Sequence, residues 1–309
     1  MTEQIRKVTI IGMGALGVLY GDFFSKKLGE DAVTFLADEE RIRRYEEEGI
    51  FCNGARCQFR FQDTALPGEE AELLIFAVKA TALDDAVRLA ENFVGSHTIL
   101  MSVLNGISSE EILGERFGRD KVLYCIAQGM DAVKSGNQAS YSHIGKLCIG
   151  IEKEMPQKQP LLDRVEELFR RTGLPYVTEE DIRHRLWSKW MLNVGVNQVV
   201  MVEEGNYGTV QQPGEARERM IAAMREVILI AEKARIPVSE KDLEEYLVLI
   251  DSLNPAGMPS MRQDGLARRR TEVELFAGTV MKKAEEYGVE VPVNRELYRR
   301  VQEITLLFS

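Results

Sequence analysis

The sequence predicts an α/β N-terminal half, a doubly wound parallel sheet covered by helices on both faces, followed by an all-α C-terminal half. Three observations carry this. Short β-branched runs alternate with helical segments through the first 180 residues, which is the rhythm of βαβ units. The first of these runs ends in a glycine-rich turn that opens a helix. Beyond residue 181 the strand runs give way to long helical periodicity punctuated by Pro237, Pro255, Pro259 and Pro292. The 309 residues are therefore expected to divide into residues 1–180 and 181–309.

In chain order, Val8–Ile11, Ala32–Leu36, Leu73–Val78, Thr98–Val103 and Val122–Ala127 read as strands. Their nearly continuous apolar character suits a parallel sheet buried on both faces. Between them fall helices over Ala15–Leu28, Glu39–Glu48 and Leu83–Phe93, and another starting near Ser109. After Ala127 a hairpin-like addition is expected, with Ser140–His143 and Leu147–Ile151 extended, then a helix over Leu161–Arg171 and a short strand near Tyr176. The second half reads as helices at 181–202, 213–235, 240–251, 263–287 and 293–306. In the fourth, Leu266, Val273, Phe276, Ala277, Val280, Met281, Ala284 and Tyr287 form one apolar stripe and are expected in the core.

Composition removes several function classes. With 39 Lys and Arg against 49 Asp and Glu, a net charge of −10 argues against a broad phosphate-tracking surface, so neither nucleic acid nor anionic membrane is an expected partner. The 45% hydrophobic content fits a folded soluble chain, and no stretch is long and apolar enough to span a bilayer. Arg6 and Lys7 precede an apolar run as in a secretory signal, but Gly12, Gly14, Gly17 and Gly21 interrupt it and Asp22 follows, so a cytoplasmic protein is expected. Cys52, Cys57, Cys125 and Cys148 have no CxxC spacing and read as reduced, mostly buried thiols. Three histidines without metal-binding spacing supply no metal site.

The turn is Gly12-Met13-Gly14-Ala15-Leu16-Gly17. A GxGxxG string between a strand and a helix binds dinucleotides: the first glycine makes the turn, the second admits the pyrophosphate, and the third allows close packing of helix on strand. Gly12, Gly14, Ala15, Leu16 and Gly17 are thus candidate cofactor residues of a Rossmann-type domain. Asp38, about twenty residues on, can accept from ribose hydroxyls and favours NAD. Arg41, Arg43, Arg44 and Lys79 could pair instead with a 2′-phosphate, although the arginines also fit a solvated helix face with Glu46–Glu48. The residues alone leave both cofactors open.

In the second half, Lys189, Asn193 and Asn197 recur every fourth residue within the apolar segment Leu186–Val202. Such spacing puts them on one helical face, where burial without partners would be costly, so a ligand, a polar network or water must meet them. A ligand pocket is favoured over a solvent-facing stripe. Glu272 flanks the apolar stripe of the fourth helix and can reach a cleft, whereas Glu274 falls on the outer side.

These pieces together resemble the ketopantoate reductase family, and the resemblance spans nearly the whole chain. It rests on Gly12–Gly17, Val78-Lys79, Leu104-Asn105-Gly106, Lys189 with Asn193 and Asn197, Ser260-Met261 with Asp264, and Thr271-Glu272. The resemblance implies a Rossmann domain joined to a helical domain similar to that of 6-phosphogluconate dehydrogenase. It implies NADPH-dependent reduction of 2-dehydropantoate to (R)-pantoate in pantothenate biosynthesis. Lys189 would be the general acid, Glu272 would bind a substrate hydroxyl, and Asn105, Asn193, Asn197 and Ser260 would hold substrate. Lys79 matches the family's 2′-phosphate position and, with Arg41, gives NADP precedence over NAD; Asn105 would also lie beside the nicotinamide. The sequence departs from the family at Gly257 and Tyr207, where asparagines are expected, and at Ala37-Asp38, where an arginine is common. The departures leave a reductase of another short branched 2-oxo acid as the alternative, with a non-catalytic dinucleotide-binding protein behind it. The long apolar helices of the second half could also support a homodimer.

Overall fold

The computed structural model describes residues 4–308. The chain forms two compact units, one running to Asn105 and resuming over Ser109–Ile182, the other made of Gly106–Ser108 and the chain from Arg183 onward.

The first unit carries, in order, β1 (Val8–Ile11), α1 (Ala15–Leu28), β2 (Val33–Ala37), α2 (Glu39–Glu48), β3 (Phe51–Cys52), β4 (Ala55–Arg56), β5 (Arg60–Asp63), β6 (Leu73–Phe76), α3 (Leu83–Ala90), β7 (Ile99–Ser102), α4 (Ser109–Phe117), β8 (Val122–Gln128), β9 (Val133–Ser135), β10 (Gln138–Ser140), β11 (Lys146–Gly150), α5 (Gln159–Thr172) and β12 (Tyr176–Thr178). The main sheet has the order β12-β11-β8-β7-β6-β1-β2-β5. Its ladders are parallel except that of β8 with β11. Alternate side chains face opposite layers, as the pleat requires. Val8, Ile10, Val33, Phe35, Leu73 and Ile75 pack with α1 and α5 through Leu19, Phe24, Leu162 and Phe169. Ile11, Leu36, Leu74, Phe76 and Leu100 pack on the other face with Leu83, Val87 and Leu113 of α3 and α4.

Register fixes where the strands end. Ile11 lies opposite Leu36 and Phe76, and Phe76 lies opposite Ser102. The carboxyl ends of β1, β2, β6 and β7 therefore share one edge, and the chain crosses from one side of β1 to the other between β5 and β6. In an open parallel sheet this switch point is where a ligand crevice forms.

A second, four-stranded sheet, β4-β3-β10-β9, is absent from the sequence expectation. Its strands have two or three residues each, too few to show a period. The expected strand Ser140–His143 is also corrected: β10 ends at Ser140, and the backbone N–H groups of Ser142 and His143 are bound by the Asp131 carboxylate at 2.9 and 2.8 Å instead of a ladder.

The second unit consists of α6 (Ile182–Val202, whose first residue falls in the other unit), α7 (Tyr207–Gln211), α8 (Glu215–Lys233), α9 (Glu240–Ser252), α10 (Ser260–Leu266), α11 (Ala277–Tyr287) and α12 (Pro292–Leu306). The expected continuous helix over 263–287 does not form: α10 stops at Leu266, an irregular segment follows, and a 3-10 turn at Val273–Leu275 precedes α11. The run Arg268-Arg269-Arg270 is exposed, and Arg268 has φ of 49°. Leu266 is accordingly 57% exposed and not in the core, whereas Val273, Phe276, Ala277, Val280 and Ala284 are buried as expected.

A buried polar network ties these helices. The Gln198 side-chain N–H donates to the Val194 carbonyl at 2.7 Å and to Asn294 Oδ1 at 3.0 Å, and its Oε1 accepts the Ala277 N–H. Glu226 of α8 accepts the first N–H groups of α12, from Val293 at 2.7 Å and Asn294 at 2.9 Å. A carboxylate at a helix N-terminus satisfies unpaired donors and complements the macrodipole. Among the described residues no helix is long and apolar enough to cross a membrane.

Glu110, in the first turn of α4, is 3% exposed and hydrogen-bonded to the Ser109 hydroxyl at 2.9 Å. Burial pushes its carboxyl up to about 7 from the ordinary 4.5. Between these two values the folded chain keeps a proton that the unfolded chain has released, so this group's contribution to stability falls as pH rises through that window. Urea unfolding of wild type and Glu110→Gln at pH about 5 and about 8 should show the wild type losing on the order of 2 kcal/mol relative to the variant. Parallel pH profiles for the two proteins would refute a buried, neutral Glu110.

Candidate functional site

The glycine turn leaves β1 at the shared carboxyl edge. Gly12 has φ of 109°, and a Cβ there would sit 2.6 Å from the Ala77 carbonyl oxygen, while one at Gly17 would sit 2.0 Å from the Gly12 carbonyl oxygen. Both glycines are demanded by the chain's own packing. Gly14 is different. It is exposed, its φ is −77°, and a Cβ there would meet only the Ala77 carbonyl oxygen at 3.6 Å. Nothing within the chain requires the missing side chain, and the space where it would stand is open. Gly14 is the N-cap of α1 with no side-chain cap bond, and the first turn, including Ala15 and Leu16, contains no acid. The positive helix end thus faces outward, which suits an anion of pyrophosphate size.

Three more predicted residues lie along this edge. Asp38 follows β2 and caps α2: its Oδ1 accepts the Arg41 N–H at 2.8 Å, and its Oδ2 pairs with the Arg41 guanidinium at 3.3 Å. Lys79 follows β6, is exposed, and opens a 3-10 turn. Asn105 follows β7 and is half-buried. Gly12, Gly14, Ala15, Leu16, Gly17, Arg41, Lys79 and Asn105 are therefore distributed around the switch point of one sheet.

In the second unit α6 displays the predicted ladder. Lys189 and Asn193 are half-buried, and Asn197 is 5% exposed. Flanking positions Leu186, Trp190, Met191, Val194 and Val200 are buried and hold the helix by its apolar faces. The Asn197 amide N–H donates to Asn193 Oδ1 at 3.3 Å, while its Oδ1 accepts from the Ser260 hydroxyl at 3.3 Å and the Met261 N–H at 3.2 Å. The deepest rung is thereby fixed to the start of α10. Lys189, Asn193, Asn197 and Ser260 come together as one polar strip of an ammonium, two amides and a hydroxyl.

Glu272 lies in the segment joining α10 to α11, not on a helix, and is half-buried at the start of the 3-10 turn. That turn is pinned to α6 by the Trp190 indole N–H, which donates to the Leu275 carbonyl at 2.8 Å. Asp264 is 9% exposed and pairs with Arg269 at 2.7 Å, anchoring the same segment from its other end. Glu274 is exposed as expected and accepts from the Tyr298 hydroxyl at 2.6 Å.

The positioning residues Trp190 and Gln198 escaped the sequence reading. Gln198 left a signal, since it is a second amide directly after Asn197 in an apolar run. The departures at Gly257 and Tyr207 turn out to be coupled. A Cβ on Gly257 would lie 3.1 Å from the Tyr207 ring, and the Tyr207 N–H donates to the Gly257 carbonyl at 2.9 Å. Burial pushes the Tyr207 phenol upward.

Known proteins similar to this chain show its family and share its fold. Residues 8–153 match the family model described as Ketopantoate reductase PanE/ApbA, and residues 181–305 match Ketopantoate reductase PanE/ApbA C terminal. The 2-dehydropantoate 2-reductase of Aquifex aeolicus (strain VF5) is 26% identical over 304 residues, which is 97% of each chain. Among solved structures, D-mandelate dehydrogenase with NADH and anilino(oxo)acetate has a TM-score of 0.82 at 19% identity, over 98% of this chain and 99% of that one. A dimeric ketopantoate reductase from Staphylococcus aureus has a TM-score of 0.79 at 17% identity, over 98% and 100%. At such identities the structures show a shared fold.

Gly14→Val should separate folding from nucleotide binding. Its thermal midpoint should stay within a few degrees of wild type, because no atom lies close to the added carbons' origin, while affinity for a reduced nicotinamide dinucleotide should fall by about tenfold or more, read by fluorescence titration. Unchanged affinity would show that nothing approaches the backbone at Gly14.

Proposed function

The chain belongs to the ketopantoate reductase family, and from that premise we propose that it reduces 2-dehydropantoate to (R)-pantoate, a step of pantothenate biosynthesis, with a reduced nicotinamide dinucleotide. The observation that carries this reading is the strip of Lys189, Asn193 and Asn197, with Asn197 locked to Ser260 and Met261.

Gly12, Gly14, Ala15, Leu16 and Gly17 would hold the dinucleotide, which when bound would supply the hydride for the ketone carbon. As that carbon becomes tetrahedral, negative charge develops on its oxygen. The Lys189 ammonium stabilises this charge and transfers a proton to it, which completes the alcohol. Asn193 presents its amide to the substrate, since its Oδ1 is engaged by Asn197. Ser260 contributes a hydroxyl, Glu272 accepts the substrate's own hydroxyl, and Asn105 orients the reacting end of the dinucleotide. The expectation of NADPH rests on Lys79 and Arg41. The dimeric state of the Staphylococcus aureus protein extends the reading to a homodimer, which the mass of the protein in solution tests.

A second reading is favoured by one observation. The Tyr207 ring packs on Gly257, filling the place of a side chain that the family resemblance puts at 257. An aromatic wall there suits another short branched 2-oxo acid, or a bulkier one. Comparing kcat/KM for 2-dehydropantoate with a panel of branched and aromatic 2-oxo acids decides between the readings.

Dinucleotide oxidation by the purified protein should depend on added 2-oxo acid. Lys189→Ala should lower kcat by about 10²–10⁴-fold with dinucleotide affinity retained. Full turnover in that variant would remove Lys189 from the role of acid.

A further inference from the structure

The resemblance gives NADP precedence, yet the geometry at the end of β2 opposes a 2′-phosphate. On a doubly wound sheet the pyrophosphate sits at the N-terminus of α1 and the adenosine ribose lies toward the carboxyl end of the neighbouring strand β2. Here that strand is in register with β1, Ile11 opposite Leu36, so Asp38 stands at the same edge as the glycine turn. Its carboxylate is 44% exposed and fixed in place: one oxygen accepts the Arg41 backbone N–H at 2.8 Å, the other meets the Arg41 guanidinium at 3.3 Å. Each oxygen keeps a lone pair for a ribose hydroxyl.

Arg41, the cation expected to meet a phosphate, is paired with Asp38, so part of its charge is offset before any phosphate arrives. Glu39 and Glu40 follow in the first turn of α2 and are exposed, so with Asp38 they add negative charge to the neighbourhood of a dianion bound at this corner. The remaining arginines do not offset them. Arg43 lies beyond the first turn and is exposed, and Arg44 stacks on Tyr45, its guanidinium carbon 5.4 Å from the ring centroid. Lys79 leaves the sheet from β6, on the opposite side of β1 from β2. That is two strand spacings away, roughly 10 Å at the backbone.

Building on the dinucleotide-dependent reading above, we infer that Asp38 is a cofactor-selecting residue and that this chain takes NADH in preference to NADPH. The two hydroxyls of the adenosine ribose of NADH donate to a carboxylate that is already oriented, whereas the 2′-phosphate of NADPH would bring like charges together and would have to share a guanidinium paired with Asp38.

The test is fluorescence titration of the full-length protein, without substrate, with NADH and NADPH, alongside Asp38→Asn and Asp38→Ser. Both replacements keep a side-chain oxygen able to cap α2, and circular dichroism checks that each variant folds. Wild type should bind NADH about tenfold or more tightly than NADPH, and both variants should lose most of that preference, chiefly by gaining affinity for NADPH. Equal or tighter binding of NADPH by wild type overturns the inference, as does a preference unchanged in both variants. Turnover of 2-dehydropantoate with a preference for NADPH would refute the selection by Asp38 and leave the proposed reaction standing. Tight NADH binding without turnover of any 2-oxo acid would do the reverse, and binding of neither dinucleotide would refute both.

Discussion

A polar group taken out of water must find a partner in the chain or in a ligand, and this requirement organises both units. On α6 it acts most strongly. Asn197 is nearly inaccessible, and its carbonyl oxygen is satisfied only because α10 starts where Ser260 and Met261 can donate to it. The break between α10 and α11 follows from the same requirement. A continuous helix would carry the exposed arginines of 268–270 with the core stripe and would remove the turn that meets the Trp190 indole. The loop bearing Glu272 is thus part of how α6 is packed.

The opposite situation holds at α1. Its first N–H groups receive no side-chain cap and its first turn no acid, although the helix lies at the crowded switch point of the sheet. A helix end without a side-chain cap is stable when exposed to water and more stable with an anion, which is the physical basis of the proposed dinucleotide site. At α2 the chain supplies its own cap through Asp38. The helix end at Gly14 is thus open, whereas the one at Asp38 is closed by its own side chain.

Behind the polar strip of α6 stands a scaffold whose members face away from chemistry. Gln198 adjoins Asn197 in sequence but turns to Asn294 and Ala277, and Asn294 in turn is held by Glu226. Buried networks of this sort rigidify a fold when every member is satisfied. They fix the rotation of α6 about its own axis, which determines where Lys189 and Asn193 point.

By itself the sequence determined what local pattern can encode. The strands β1, β2, β6, β7 and β8, the glycine turn and the ladder at Lys189, Asn193 and Asn197 are legible because an apolar β-branched run, a GxGxxG string and an every-fourth-residue spacing are each carried by neighbouring residues. The small sheet left only the Asn53-Gly54 pair, whose φ values of 50° and 80° form the turn between β3 and β4, since two-residue strands have no period. Tertiary structure alone decided the commitments between residues far apart in the chain: Asn197 to Ser260, Trp190 to Leu275, Tyr207 to Gly257. The physical reason is the same in each case. A side chain's type and its periodicity are local properties, whereas the partner that satisfies it is fixed by packing among elements whose separation in sequence carries no record of their proximity.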